Sequence, residues 1–111
     1  MAKDNTQMTT EDMQQTIYKE LGYKSYPFPF TTPAYLEAYG TLVGLKPPTA
    51  KTARVLELGA TYGGNIISQA VHNPEATFVG IELSQDQVEK GNKIISDAKL
   101  DNVSLLQGDI L

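Results

Sequence analysis

The residues able to do chemistry gather in one segment, Val55-Leu56-Glu57-Leu58-Gly59-Ala60-Thr61-Tyr62-Gly63-Gly64-Asn65. An apolar run leads into a glycine-rich turn, and an acid, Glu57, stands just before the first glycine. Glycine at such places lets the backbone turn sharply and lets a ligand approach a helix N-terminus. A dinucleotide-binding turn carries Gly-x-Gly-x-x-Gly, and the matching positions here are Gly59, Thr61 and Gly64. Thr61 replaces the glycine that would let the backbone close on a pyrophosphate, which weakens that reading. No Gly-Lys-Ser/Thr follows, so a Walker-type phosphate loop is absent. Two more acids end apolar runs. Glu82 follows residues 76–81, roughly the 20-residue distance at which an acid accepts from a ribose hydroxyl. Asp109 follows residues 103–106. A single histidine, His72, and the lack of cysteine leave no metal-ligand cluster.

These residues need elements to hold them. Residues 54–58 read as a strand ending at Gly59, residues 64–71 as a helix, and residues 76–81 as a second strand. Ser84-Gln85-Asp86-Gln87 has the form of a capping box and opens a helix carrying Val88, Ile94, Ile95 and Ala98. Asp101-Asn102 makes a turn into a third strand, residues 103–106. Strand, helix, strand, helix, strand predicts an α/β fold: a three-stranded parallel half-Rossmann unit, β-α-β-α-β, with an N-terminal helical and aromatic arm. In that arm Thr10 caps a short helix bearing Met13, Ile17 and Leu21, with Gly22 at its end. Residues 23–30 are aromatic and punctuated by proline, hence extended. Thr32-Pro33 starts another helix through Tyr35, Leu36, Tyr39, Leu42 and Val43, stopped by Gly44. The expected organisation is a disordered tail at 1–9, the arm and linker at 10–52, and an incomplete Rossmann-like domain at 53–111.

The glycine segment resembles motif I of the class I S-adenosylmethionine-dependent methyltransferases, roughly acidic-x-Gly-x-Gly-x-Gly. Glu57, Gly59 and Gly63 match, and Thr61 departs from the middle glycine. That departure is physically tolerable, because adenosylmethionine has no pyrophosphate. The resemblance implies S-adenosyl-L-methionine as cofactor, with contacts from Glu57, Gly59, Ala60, Thr61, Gly63, Glu82, Leu83, Asp109 and Ile110. Within that set it implies that Glu57 organises the methionine amino group and Glu82 the ribose hydroxyls. Asp109 would accept from the adenine amine, and Ile110 would flank its face. The arm, Tyr26-Pro27-Phe28-Pro29-Phe30-Thr31-Thr32-Pro33, together with Gly63-Gly64-Asn65, is similar to a bacterial group of these enzymes. Tyr23, Tyr26 or Phe28 would then either form a lid over the cofactor or staple the arm to the sheet. Tyr62 either touches the cofactor or packs. His72 suits the negative end of its helix.

Acceptor-binding groups in this family come mostly from the fourth strand onward, which lies outside these residues. The expectation is therefore a cofactor-binding portion without catalytic residues of its own, inactive in isolation. Two alternatives stay open: a non-catalytic oligomerising or regulatory half-fold, and a nucleotide- or NAD-binding half. The sequence has 41% hydrophobic residues, 20% charged residues and a net charge of −4, which argues against a nucleic-acid partner. No apolar run is long enough to span a bilayer, and no secretory leader is seen, so the expected location is the cytoplasm. With strand order 3-2-1, right-handed crossovers place both helices on one face of the sheet. The strands are apolar on successive residues, so a bare second face and an open first-strand edge predict self-association.

Overall fold

The computed structural model describes Thr9, Thr10, Asp12 and residues 24–111. The expected helix over Met13, Ile17, Leu21 and Gly22, and Tyr23 with it, lie outside the described residues. Thr9, not Thr10, supplies the cap there. The Asp12 N–H donates to the Thr9 hydroxyl oxygen (3.0 Å), and the Thr9 N–H and hydroxyl both donate to the Asp12 carboxylate. These bonds hold the Asp12 carboxyl below its ordinary value, the Thr9 hydroxyl contributing most.

The described elements are α1 (Pro33–Leu42), β1 (Arg54–Leu58), α2 (Gly64–His72), β2 (Thr77–Glu82), α3 (Gln85–Asp97) and β3 (Val103–Gln107). They form one parallel sheet in the order β1-β2-β3. Leu58 lies opposite Ile81, and Glu82 opposite Gln107. Both α2 and α3 cover the same face, as the right-handed crossover requires. Phe78, Val103 and Leu105 point into that face and join Ile66, Ala70, Val88 and Ile95 in the buried core. Gly80 is required there: a Cβ would come within 2.7 Å of both Ala60 and Ile66. The alternate residues of the strands face outward, and Leu56, Leu58 and Leu106 are exposed, Leu56 at 62%.

Helix ends follow local chemistry. Pro33 opens α1 at its first position, but the Thr32 hydroxyl donates back to the Pro29 carbonyl (2.7 Å) and makes no side-chain cap. After Leu42, Gly44 takes a left-handed φ of +87°, and the N–H groups of Leu45 and Gly44 donate to the carbonyls of Gly40 and Thr41. That is a Schellman ending. Lys99 plays the same part after α3, with Leu100 N–H on Ile95 and Lys99 N–H on Ser96. The expected capping box at Ser84 forms only by half. Ser84 Oγ accepts from the Gln87 N–H (3.4 Å), but the Ser84 N–H donates to Glu82 Oε1 (3.1 Å). A charged acceptor on the preceding strand outcompetes the glutamine. Gln87 Oε1 is left buried with no partner among the described residues.

The outer edge of β3 is closed by one side chain. The ladder to β2 runs through the Asn102 carbonyl and the Gly108 N–H, so alternation turns Leu105 away from β2. Asn92 meets it from α3: its Nδ2 donates to the Leu105 carbonyl (2.8 Å) and its Oδ1 accepts from the Leu105 N–H (3.0 Å). A side-chain amide thus stands in for a further strand and blunts the edge. Asn92→Ala is expected to lower unfolding stability by about 1–3 kcal/mol, two hydrogen bonds being lost at a part-buried site. Urea denaturation checks this, and an unchanged midpoint would contradict it.

Candidate functional site

Three left-handed residues shape the loop from β1 to α2: Gly59 (φ +71°), Thr61 (φ +53°) and Gly63 (φ +88°). A β-branched residue at positive φ is strained unless its surroundings hold it. Thr61 is held twice. Its N–H donates to Glu82 Oε2 (2.7 Å), and its hydroxyl donates to Ser25 Oγ (2.6 Å) and also lies 2.7 Å from the Ala60 carbonyl. Ser25 Oγ accepts in addition from the Gly64 N–H (2.6 Å) at the start of α2. The non-glycine residue in the glycine motif is therefore the one that fastens the arm to the loop.

Glu82 is 1% exposed. Its carboxylate accepts from the Thr61 N–H in one loop and the Ser84 N–H in the next. Glu57 lies at the other side of the loop. Its Oε1 accepts from Asn65 Nδ2 (2.6 Å), while its Oε2 is buried and has no partner among the described residues. Burial pushes the Glu57 carboxyl above its ordinary value of 4.5, and the Asn65 donation opposes that shift.

Gly59, Glu82, Leu83, Asp109 and Ile110, five of the expected contact residues, line one cleft with Ile81, Gly108 and Leu111. Its volume is about 320 Å³, and it opens at the carboxyl ends of the strands, where parallel sheets bind ligands. Asp109 is exposed there and accepts from the Leu111 N–H (2.9 Å). The remaining expected residues, Glu57, Ala60, Thr61 and Gly63, do not line this cleft. Ala60 is a core residue beneath the loop, its N–H donating to the Ile81 carbonyl (3.1 Å). Gly63 caps α2. Tyr62 packs under the Lys90 ammonium, 4.2 Å from its ring centroid. His72 Nδ1 lies 2.8 Å from the Ser68 carbonyl, an acceptor only, so the proton sits on that nitrogen.

Four residues that join this network had no role assigned from the sequence: Ser25, Thr31, Asn65 and Gln69. The signal existed in Asn65 and Gln69. Two amides four apart on the buried face of a short apolar helix need partners, and helix spacing puts both on one side. Their partners come from the arm and could not be read from spacing. The arm is held by its backbone and hydroxyls rather than by its rings. Tyr26, Phe28 and Phe30 are exposed, with Phe28 and Phe30 tilted against each other at 5.9 Å.

A family model described as "Putative methyltransferase" matches residues 51–111, more than half of the chain. The chain belongs to this methyltransferase family. It is similar to PKMT2 from Rickettsia typhi, solved in complex with AdoHcy, with 42% identity and a TM-score of 0.74. That match covers 79% of this chain and 17% of the other. It is also 42% identical to protein RP028 of Rickettsia prowazekii over 94 residues, 85% of this chain and 38% of that protein. A tRNA (guanine-N(7)-)-methyltransferase of Burkholderia thailandensis is 31% identical over 64% of this chain and 25% of its own length. The chain thus spans well under half of the relatives it matches, and the three-stranded parallel unit is the corresponding half of the methyltransferase fold. Among the described residues no helix is long and apolar enough to cross a membrane.

The raised Glu57 carboxyl makes stability depend on pH. Its folded state binds the proton more tightly than the unfolded chain does, so its contribution is full below 4.5 and is lost as pH rises through the raised folded value. Compared with Glu57→Gln, the parent is therefore expected to lose stability as pH climbs through that window. Urea unfolding of both proteins at a series of pH values measures it. A difference that stays flat would contradict the burial of this carboxyl.

Proposed function

We propose that this chain is the S-adenosyl-L-methionine-binding portion of a class I methyltransferase, with residues 53–111 as the cofactor unit and residues 10–52 as its arm. The observation that carries the reading is Glu57 Oε2, a buried carboxylate oxygen beside a glycine loop and without a partner among the described residues. A lone buried acceptor of that kind is costly unless a ligand supplies the donor. An ammonium group does so, and the cofactor's amino-acid end carries one. The bound cofactor supplies an activated methyl group on a sulfonium.

The chain's own residues bind and orient. Glu57 takes the ammonium, and the loop backbone at Gly59, Ala60, Thr61 and Gly63 passes beside the methionine moiety. The cleft of Gly59, Glu82, Leu83, Asp109 and Ile110 takes the nucleoside, with Asp109 toward the adenine amine and Ile110 against its face. Glu82 holds the loop through Thr61 and presents the same carboxylate toward the ribose hydroxyls. AdoHcy in the Rickettsia typhi relative supports this ligand class. No group in the chain is assigned to the methyl acceptor, and methyl transfer by these residues alone is not part of the reading. The site of action proposed is the cytoplasm.

Calorimetric titration tests the site. AdoHcy is expected to bind the parent and NAD is not, and Glu57→Ala is expected to weaken AdoHcy about 10- to 150-fold, the loss of a charge-assisted hydrogen bond. Equal affinity of parent and variant would remove Glu57 from the site, and preference for NAD would favour a dinucleotide half-fold.

The exposed sheet face supports a second part of the reading, self-association. Leu56, Leu58 and Leu106 stand exposed on it, while Asn92 closes the β3 edge, so two copies would meet face to face or along β1. Sedimentation at micromolar concentration is expected to give a dimer. A monomer throughout would refute it.

A further inference from the structure

We propose that Asn65 is the positioning residue of the cofactor site, fixing the Glu57 carboxylate from the N-terminal arm. The inference rests on the reading of Glu57 as the acceptor for the cofactor's ammonium.

A primary amide has two donor protons and two acceptor lone pairs. Asn65, 6% exposed, uses all four. Oδ1 accepts from the Phe28 N–H (2.7 Å) and from Gln69 Nε2 (3.1 Å). Nδ2 donates to Glu57 Oε1 (2.6 Å) and to Thr31 Oγ1 (3.0 Å). The amide cannot be flipped: a backbone N–H only donates and so fixes Oδ1 on the Phe28 side. Glu57 then always meets the donor end.

Thr31 closes the arrangement. Its hydroxyl donates to the Phe28 carbonyl (2.9 Å) and accepts from both Asn65 and Gln69. That hydroxyl is also saturated, so the arm cannot slide by one residue without breaking several bonds at once. The consequence falls on Glu57. With Oε1 committed to Asn65, the carboxylate cannot rotate freely, and Oε2 is the oxygen left without a partner among the described residues. Among the described residues, the arm therefore reaches the Glu57 carboxylate through the Asn65 amide, as it reaches the glycine loop through Ser25. Asparagine is the side chain this geometry needs at 65. Aspartate would keep both acceptors, lose both donors, and set a second negative charge against Glu57.

The experiment compares two ligands on the full chain: AdoHcy, and 5′-methylthioadenosine, which keeps the nucleoside and thioether but lacks the amino-acid end. Asn65→Ala and Asn65→Asp are expected to weaken AdoHcy about tenfold or more, while 5′-methylthioadenosine changes less than about threefold. Thr31→Val, which removes only the hydroxyl, guards against misfolding of the Asn65 variants. It is expected to weaken AdoHcy about two- to fivefold with the same selectivity. Loss of both ligands in equal measure, in any of the three, would make Asn65 merely structural and overturn the proposal. Unchanged AdoHcy binding in the Asn65 variants, with Glu57→Gln weakened, would overturn it while leaving Glu57 in the site. Parent protein that binds the two ligands equally, or neither up to millimolar concentration, would overturn the reading of Glu57 and the proposal with it.

Discussion

The Glu82 carboxylate is the constraint on which the site's geometry depends. It sits at the end of the central strand, almost wholly removed from water, and accepts backbone N–H groups from the loops that follow β1 and β2. An isolated carboxylate at that depth would cost several kcal/mol. Backbone amides repay much of this, because they are fixed by the fold and lose no rotamer freedom in bonding. The same two bonds set the course of both loops. Thr61 is drawn into a left-handed turn, and Ser84 has its N–H taken before Gln87 can reach it. One acid thereby determines the shape of the glycine loop, the start of α3 and one wall of the cleft.

On the other side of the loop the arrangement is reversed. One Glu57 oxygen has no partner among the described residues, in a half-buried place. The two acids stand on the same face of adjacent strands but differ in their supply of donors. Glu82 faces backbone amides of loops, which are present whatever the arm does. Glu57 faces the side-chain amide of Asn65, whose orientation is set by residues 28–31. The acid held by backbone amides shapes the loop and one wall of the cleft, and the acid with an open oxygen is suited to a ligand that brings its own donor.

The two faces of the sheet differ in the same physical terms. Helices α2 and α3 cover one face and bury Phe78 and Leu105, and the opposite face leaves leucines open to water. Asn92 deals with the β3 edge by pairing with Leu105. Solvent-facing apolar side chains on a parallel sheet are unusual, because such sheets are ordinarily covered on both sides.

The sequence by itself determined the elements, because their signals are local. Apolar runs ending in glycine, the serine before α3 and the glycine after α1 fix where strands and helices begin and end, to within a residue or so at most boundaries. Given the strand order β1-β2-β3, both helices on one face followed from the handedness of crossovers. The clustering of Gly59, Glu82, Leu83, Asp109 and Ile110 followed in turn, since all lie after strands that end on one side. Partnership was decided only in three dimensions. Thr9 rather than Thr10 caps its turn, Glu82 rather than Gln87 takes the Ser84 amide, and Ala60 serves the core instead of the cleft. Ser25 and Thr31 meet Thr61, Gly64 and Asn65 across more than thirty residues of chain. Spacing along a chain reports which face a residue lies on, but a hydrogen bond between distant segments depends on where the fold carries both ends, and no local pattern encodes that.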